Sequence, residues 1–466
     1  MPNRQDVYSS LIGMVGEEFV SNRPEELYLY SCDSSANPPR RVDYVVMPKE
    51  VEEVQAIVRL ANDKKIPIVP MGAGLNLEAL TLPVHGGIVM DMKRMDRILE
   101  VNEVDRYALI EAGVSQGALI SYLADNHPGL QHSVPDAPPS ATIAGSALIC
   151  GYGHLSTNYG THSEMINGLE VVLASGDVCK VGSSFISPYW FGRGTLPDLT
   201  GLFIGWFGTT GIITKLAIRL YPKPKVRDMV IYMMKDPSLL PDAIYKITHT
   251  QMAEDVSIIG QERPEWMKGY QIISVYISGS LDAELTLKRQ ILKSLFKNTH
   301  VEDKITFIEG PAPELKDEFL ELPFFATKVA DWKKGGGFEY AGAIMGLDKV
   351  ARAWEQGMGI AHRHDMLYSY AIRIVDGGHH VLFTYSYPFN RADKDSMQKA
   401  LDALSETQAL ALDIGAIPWK PELAGQKQVI EKMDPTTFNL LTEIKKTLDP
   451  NGIMNPGNWE ASQDDS

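Results

Sequence analysis

A glycine loop near residue 72 has the residue types that bind a phosphate. The stretch I66-P-I-V-P-M-G-A-G-L-N76 reads as a short apolar strand followed by glycines, and glycines let backbone N–H groups approach a phosphate. A Rossmann loop opens directly into a helix that holds the pyrophosphate. Here no helix has room to form over 83–87 before the next strand, I88-V-M-D-M92. The loop therefore favours a dinucleotide other than NAD, with a plain turn between two strands as the alternative.

A second segment suits close contact with a flat ligand. S133-V-P-D-A-P-P-S-A-T-I-A-G-S-A147 is rich in proline and small residues. Prolines exclude a regular helix, and small side chains allow close backbone approach. The segment therefore predicts an irregular stretch that can approach a flat ligand closely.

Composition limits the classes of function. A chain of 466 residues is long enough for two or three domains with a sizeable core. Its net charge, 44 − 59 = −15, argues against nucleic acid or an anionic membrane as the main partner. The three cysteines form no C-x-x-C pair, so no metal cluster of that kind is expected. With no apolar run of membrane-spanning length and no signal sequence, a cytoplasmic protein is expected.

The helices and strands predicted from the sequence follow two patterns, one in each half of the chain. The first, up to Y221-P-K-P-K225, begins β-α-β and ends in the strong strand 212–220. The second alternates helices with antiparallel-type strands, among them the predicted hairpin around D376-G-G-H-H380 and a last strand, A409-L-A-L-D413. These patterns predict an α+β protein with domains at 1–224, 225–413 and 414–466.

Four segments together resemble the flavoprotein family of vanillyl-alcohol oxidase and p-cresol methylhydroxylase. They are the glycine loop, the segment around Pro135, N158-Y-G-T-H-S-E-M-I-N-G-L-E-V-V-L-A-S-G176 with G208-T-T-G-I-I-T-K215, and the ending D449-P-N-G-I-M-N-P-G457. The resemblance covers nearly the whole chain. It implies a split FAD-binding domain with a cap domain between its parts, and a C-terminal tail that returns to the FAD domain.

The resemblance also implies which residues contact FAD, with His380 as the candidate for a covalent bond to the flavin. The expected FAD-binding residues are Met71, Gly72, Ala73, Gly74, Leu75, Asn76, Pro135, Ala141, Thr142, Gly145, Ser146, Tyr159, Gly160, His162, Gly211, Ile212, His380 and Asn455.

One branch of the family that this chain resembles uses a metal ion to oxidise D-2-hydroxy acids. Its first metal-binding histidine is replaced here by Arg373, its glutamate by Ala416 and its basic histidine by Ile417. His380 alone cannot hold a divalent ion, so no metal is expected. The phenol-oxidising branch carries a His-His pair before a cap strand, as in H379-H380-V-L-F. In that branch an adjacent Tyr-Arg pair near the C-terminus and a tyrosine just after the glycine loop hold the substrate phenolate. Here Trp419-Lys420 and Leu77 stand in those two places.

Five residues are the candidates for catalysis and substrate binding: Asp136, Arg373, His380, Trp419 and Lys420. The resemblance places Asp136 beside the flavin, where a desolvated carboxylate has a raised pKa and can act as acid or base. Burial of an unpaired arginine is costly, so a buried Arg373 implies an anionic partner. The ammonium of Lys420 can bind an anionic group, but it cannot form the two parallel hydrogen bonds that an arginine guanidinium forms.

The resemblance and these residues predict an FAD-dependent oxidoreductase that takes hydride from a small hydroxylated substrate. A 4-hydroxybenzyl or other benzylic alcohol, or an alkylphenol, is favoured. The alternatives are a D-2-hydroxy acid oxidised without a metal, its carboxylate held by Arg373 and Lys420, and an electron-transfer subunit that carries flavin. The expected partners are the small-molecule substrate and an unidentified electron acceptor, with a homodimer left open.

Overall fold

The computed structural model describes residues 4–194, 197–262, 265–323 and 336–461. Its α-helices are α1 Arg4–Val15, α2 Pro24–Leu29, α3 Val51–Lys64, α4 Gln116–Asn126, α5 Ile143–Leu148, α6 Ser156–Tyr159, α7 Leu240–His249, α8 Asp282–Ser294, α9 Lys316–Leu320, α10 Val350–Arg363, α11 Lys394–Asp413, α12 Leu423–Lys432 and α13 Pro435–Leu448. None of the helices in these ranges is long and apolar enough to span a membrane.

The strands form four sheets. Those of the N-terminal part are β1 Val20–Ser21, β2 Tyr44–Val46, β3 Ile68–Met71, β4 Ile88–Asp91, β5 Ile98–Asn102, β6 Tyr107–Glu111, β7 Leu130–Gln131, β8 Ile166–Val172, β9 Val178–Gly182, β10 Ile212–Arg219 and β11 Tyr221–Pro222. Those that follow are β12 Val226–Met234, β13 Ala253–Gln261, β14 Gln271–Gly279, β15 Ile305–Ile308, β16 Gly337–Met345, β17 Ser369–Val375, β18 His380–Phe389 and β19 Ile417–Trp419.

The N-terminal half contains two principal sheets around one core. In the order β1-β2-β4-β3, β2 and β3 run parallel to β4. The second sheet, β5-β6-β10-β8-β9, is antiparallel. Helix α3 begins with a capping box between Glu50 and Glu53 and buries Val54, Ile57 and Val58 in this core. The predicted β-α-β unit is β2-α3-β3, preceded by α1, β1 and α2, and it places the glycine loop at the carboxyl end of β3.

The cap sheet is the antiparallel eight-stranded sheet β15-β12-β14-β13-β17-β18-β16-β19. Its neighbouring strands β17 and β18 form the predicted hairpin, with Asp376–Gly378 as the turn. Arg373 of β17 pairs in register with Ser257 of β13 and Leu382 of β18. Because β19 also pairs with β16, the cap sheet includes residues beyond 413. The predicted boundaries at 224 and 413 stay predictions.

The C-terminal tail returns to the N-terminal sheet beside the glycine loop. The backbone N–H of Ile68 donates to the carbonyl of Ile453 at 2.7 Å, and the N–H of Asn455 donates to the carbonyl of Ile68 at 2.8 Å. Asp449 accepts from the N–H groups of Ile453 and Met454, which fixes the turn after α13. The split organisation implied by the resemblance is therefore confirmed.

Two local predictions are wrong. The expected strand 409–413 is the last part of α11, because Leu and Ala are strong helix formers and Leu404, Leu410 and Ala411 continue its buried face. The segment 133–147 was expected to lack helix, but its end forms α5. All of its prolines precede Thr142, whose hydroxyl caps this helix by accepting from the N–H of Gly145.

Candidate active site

A cavity of about 760 Å³ lies between the glycine loop and the cap sheet, and both halves of the chain line it. Most of the predicted site residues are on its walls. They are Met71, Gly72, Ala73, Gly74, Leu75, Asn76, Pro135, Asp136, Ala141, Thr142, Gly145, Ser146, Gly211, Arg373, Trp419 and Lys420.

The wall formed by the N-terminal half fits a flat, phosphate-bearing cofactor. At Gly72 a Cβ would stand 2.3 Å from Thr142 Oγ1, and Gly74 has a φ of +69° that favours glycine. At Gly208, which also lines the cavity, a Cβ would stand 2.6 Å from Pro70 Cγ. Side chains are thus excluded where the backbone faces the cavity, as a dinucleotide cradle requires.

His162 lies behind this wall and not on the cavity surface. Its Nδ1 is 2.8 Å from the hydroxyl of Ser146, which lines the cavity, and its Nε2 is 3.0 Å from the hydroxyl of Ser133. Complete burial lowers the pKa of His162 to about 3, so the ring is neutral and orients the Ser146 hydroxyl as a hydrogen-bond partner. His162 therefore supports the cofactor wall from outside.

Asn455 joins the C-terminal tail to two parts of the cofactor wall, the turn at Leu80 and the loop at Phe207. Its amide Nδ2 donates to the carbonyl of Leu80 at 3.2 Å and to the carbonyl of Phe207 at 2.6 Å. Leu80 and Phe207 both line the cavity, whereas Asn455 is buried behind them.

The remaining predicted FAD contacts are not among the residues that line the cavity. Tyr159 is 47% exposed and stacks on Tyr221 at 4.2 Å between ring centroids. Gly160 follows it with a φ of +78°, and Ile212 is buried at the start of β10. His380 is partly buried at the start of β18. Direct contact of these four residues with FAD stays a prediction.

Arg373 and Asp136 meet at the cavity. The guanidinium of Arg373 donates from Nη2 to Asp136 Oδ2, and from Nη1 to Asp255 Oδ2 at 2.5 Å and to the carbonyl of Gly153 at 3.2 Å. The pKa of Arg373 is raised by both carboxylates despite burial. The anionic partners expected for a buried Arg373 are therefore two aspartates, one of which faces the cavity.

Asp255 is the completely buried member of this group. Burial raises its pKa to about 6, although Arg373 and the hydroxyl of Thr157, which donates to Oδ1 at 3.1 Å, oppose that shift. The sequence reasoning did not find Asp255. Its signal is an acidic pair, Glu254-Asp255, inside a strand that is otherwise buried and apolar, because a buried carboxylate requires a cationic or hydrogen-bonding partner.

Lys420 supplies a second cation on the cap side of the cavity. Its Nζ donates to the backbone carbonyl of Asn76 and stands 4.6 Å from the ring centroid of Trp419 and 5.2 Å from that of Tyr340. Burial lowers the pKa of Lys420, and the nearby carboxylates oppose this shift. Among the described residues no carboxylate forms an ion pair with Lys420, in contrast to Arg373.

Three aromatic side chains, Tyr152, Tyr340 and Trp419, form a corner of the cavity. Trp419 contacts Tyr152 edge to face at 5.5 Å and Tyr340 at 5.8 Å. Its indole N–H donates to the carbonyl of Ile149 at 2.7 Å, which fixes the ring. Neither tyrosine was singled out from the sequence. Aromatic residues are as common in cores as in sites, so only the fold identifies them as cavity residues.

No three His, Cys, Asp or Glu side chains within the described ranges lie close enough together to hold a metal ion. At the positions of the metal-dependent branch, Arg373 is paired with aspartates, Ala416 is buried in the cap core, and Ile417 lies on β19. These side chains do not fit a metal centre.

Two family models match the chain. "FAD binding domain" matches residues 42–182, and "FAD linked oxidases, C-terminal domain" matches residues 332–459. Together they cover the glycine loop, the segment 133–147, the hairpin with Arg373 and the strand with Trp419.

The chain matches relatives over nearly their whole length. The chain is 31% identical to the glycolate oxidase subunit GlcD of Bacillus subtilis, over 97% of this chain and 96% of that protein. It is 27% identical to the probable mitochondrial D-lactate dehydrogenase of Danio rerio, over 97% and 91%. The crystal structure of p-cresol methylhydroxylase with substrate bound superposes with a TM-score of 0.85 at 20% identity, over 99% of this chain and 98% of that one.

The solved structure establishes the fold, and the relatives establish the cofactor and the class of chemistry. The cradle of small residues and glycines fits FAD, and Asp136 faces the same cavity. The chain belongs to the FAD-linked oxidases, and it is an FAD-dependent oxidoreductase.

Proposed function

We propose that the protein oxidises the benzylic carbon of a small aromatic substrate, with 4-hydroxybenzyl alcohols and alkylphenols as the favoured class. The observation that carries this proposal is the aromatic corner of Tyr152, Tyr340 and Trp419 beside the Arg373–Asp136 pair. Aromatic side chains favour a ring in offset or edge-to-face contact. The proposal places the protein in the phenol-oxidising branch of the vanillyl-alcohol oxidase type.

When bound, FAD supplies the hydride acceptor for the substrate carbon. Asp136 has the role of base in this proposal, because its side chain is 27% exposed and lines the cavity. It accepts the hydrogen bond of the substrate hydroxyl and takes its proton as the carbon is oxidised. Arg373 holds the carboxylate from behind, and Asp255 holds Arg373, so the base is oriented before the substrate arrives.

Lys420 holds the other end of such a substrate. Its ammonium lies over the faces of Trp419 and Tyr340, where it attracts a phenolate or a ring carboxylate next to the aromatic corner. The apolar and aromatic walls exclude water from this contact, which strengthens it.

A 2-hydroxy acid is the second candidate, favoured by Lys420 and by the glycolate and D-lactate relatives. The carboxylate of such a substrate would bind mainly to Lys420, because two aspartates already compensate the charge of Arg373. An aliphatic acid leaves the aromatic corner without a partner, which is why the aromatic class comes first.

An anaerobic screen separates the two classes. Benzylic alcohols, alkylphenols and D-2-hydroxy acids are mixed with the holoenzyme, and flavin absorbance near 450 nm is followed, the expected result being bleaching by the aromatic class. Bleaching by D-2-hydroxy acids alone would contradict the aromatic assignment.

A variant of the base tests its role. Asp136→Asn keeps the size and a hydrogen bond to Arg373 but removes the proton acceptor, so the rate of flavin reduction should fall by about 10²–10⁴-fold. The matched control is Asp177→Asn, in the turn where Ser175 donates to Asp177, and it should reduce at the wild-type rate. Wild-type reduction by Asp136→Asn would remove Asp136 from the chemistry.

Attachment of FAD through His380 remains a separate proposal. His380 follows the glycine turn of the β17–β18 hairpin, and burial lowers its pKa, so the ring is neutral and nucleophilic at neutral pH. The resemblance, not the cavity lining, supports this bond.

A further inference from the structure

Glu78 is a buried carboxyl group beside the cavity for which the proposed mechanism has no role. It is 2% exposed, and neither of its carboxyl oxygens has a hydrogen-bond partner. The turn that carries it follows the glycine loop, and the side chain of Asn76 accepts from the N–H of Glu78 at 2.9 Å. Its neighbours Leu77 and Ala79 both have positive φ, at 66° and 54°. Strained backbone that buries an unpartnered acid is typical of a functional position.

Lys420 supplies the compensating charge for Glu78. It comes from the other half of the chain, directly after β19, and its Nζ donates to the backbone carbonyl of Asn76, two residues before Glu78. Lys420 also has a positive φ, of 45°. Each group affects the charge state of the other. The positive charge of Lys420 favours the ionised form of Glu78, and of the nearby carboxylates Glu78 most favours the charged form of Lys420.

The other charged groups around this pair are already engaged. Asp33 accepts from the N–H of Ala79 at 2.9 Å, and Glu422 caps α12. Glu339 accepts from the N–H of Ala36, and burial raises its pKa to about 8. Arg40 donates to backbone carbonyls in the same turn. The three carboxyl groups, Asp33, Glu339 and Glu422, all disfavour a charged Glu78, as does its burial.

We propose that Glu78 determines whether the cavity prefers anionic or neutral substrates, by controlling the net charge at Lys420. With Glu78 protonated, Lys420 is a cation without a counter-ion and attracts a carboxylate or phenolate. With Glu78 ionised, the two groups neutralise each other and the cavity prefers an uncharged ring. This inference rests on the proposed function only in that the cavity with Lys420 is where the substrate binds.

The physical basis is the linkage between ligand charge and proton binding. Burial and three carboxyl neighbours raise the pKa of Glu78 well above its ordinary value, and Lys420 is the only one of these neighbours that lowers it. An anion that binds Lys420 adds a further negative charge, so it favours the protonated form of Glu78. Anion binding above the pKa of Glu78 therefore takes up one proton from solution.

Proton uptake can be measured on the holoenzyme without turnover. Benzoate and its neutral analogue benzamide are titrated into the oxidised enzyme, with flavin absorbance reporting binding. Calorimetry in two buffers of different ionisation enthalpy gives the number of protons taken up. For wild type we expect benzoate binding to take up as much as one proton as pH rises, and benzamide binding to take up none. Benzoate affinity relative to benzamide should then fall about tenfold per pH unit.

Two variants identify the group that titrates. Glu78→Gln should bind benzoate as wild type does at low pH, and its proton uptake should disappear. Glu339→Gln, which changes the neighbouring raised carboxyl group, should keep the uptake. Retained uptake in Glu78→Gln assigns the proton to Lys420 or Glu339 and overturns the inference. Absent uptake or absent benzoate binding in wild type also overturns it.

The wild-type measurements still decide the question if Glu78→Gln does not retain FAD, because a pH-independent benzoate-to-benzamide ratio contradicts the inference directly. Failure of the proposed function is separately visible. In that case aromatic alcohols do not reduce the flavin, while benzoate binding and its proton uptake are unchanged.

Discussion

Replacing Asp255 with asparagine should stabilise the protein at alkaline pH and have little effect in acid. Asparagine keeps an oxygen that accepts from Arg373. It also fits beside Thr157, whose single hydroxyl proton then goes to the carbonyl of Ile374, 3.1 Å away. Asp255→Asn therefore removes a buried charge and keeps the hydrogen bond to Arg373, the Thr157 oxygen can accept from the new amide, and Asp136 still pairs with Arg373.

The magnitude follows from the pKa of Asp255. Folding raises this pKa from 3.8 to about 6, and one pKa unit corresponds to about 1.4 kcal/mol, so the shift corresponds to about 3 kcal/mol. Because the folded state binds the proton more tightly, wild type loses this amount of stability as pH rises from about 4 to above 6. The asparagine of the variant does not ionise, so this loss of stability does not occur. Its free energy of unfolding should match wild type near pH 4 and exceed it by about 3 kcal/mol at pH 8.

Urea unfolding of the FAD-loaded proteins, followed by far-UV circular dichroism from pH 4 to 8, measures this difference. The control is Asp413→Asn, which removes an exposed carboxylate paired with Lys432. The pKa of Asp413 is lowered in the folded state, so the contribution of its charge is lost as pH falls, which is the opposite sign. A difference between Asp255→Asn and wild type that is independent of pH, or that favours wild type at pH 8, would refute the reasoning.

Three further predictions concern ligands. Lys420→Ala should weaken benzoate binding by about 1.5–3 kcal/mol, the range of a charge-assisted hydrogen bond, with benzamide binding little changed in a flavin-absorbance titration. Gly72→Ala should lower FAD affinity, because its Cβ would stand 2.3 Å from Thr142 Oγ1, whereas Gly13→Ala, with no atom within 4 Å, should retain FAD in a fluorescence assay. If His380 is bonded to the flavin, acid precipitation should leave yellow colour in the wild-type pellet and release it in His380→Ala.

The cofactor side of the site was predictable because its signal is local. The glycine loop and the proline-rich segment are short contiguous runs, and the absence of a helix after the loop is visible in the sequence. Whether a given residue of these segments lies on the cavity surface or behind it was harder to predict. His162 and Asn455 belong to the same segments as lining residues, yet each acts from behind the wall through hydrogen bonds to Ser146 and to backbone carbonyls. Residue type and spacing do not distinguish these two positions.

The partners of Arg373 and Lys420 could not be found from the sequence, because they come from distant parts of the chain. Asp136, Asp255 and Arg373 meet from a loop and two strands that lie more than 100 residues apart. Glu78 in a turn has the appearance of a surface residue, and only the folded structure shows that it is buried. The expected strand 409–413 has a related cause, since a run of four or five apolar residues fits a buried strand and a buried helix equally.

Arg373 stands, as the resemblance implies, where the metal-dependent branch has a histidine ligand, and it supplies a positive charge of its own. A histidine at this position in the metal-dependent branch is neutral and needs an ion to provide the charge, whereas the guanidinium carries its own. Burial of that charge requires compensation, which Asp136 and Asp255 provide through hydrogen bonds to separate nitrogens. Because Arg373 holds both carboxylates, Asp136 is fixed beside the cavity and the charge of Arg373 is already compensated. Lys420, which has no such ion pair among the described residues, is therefore the cation we propose for an anionic substrate, with Glu78 as the group that adjusts its net charge.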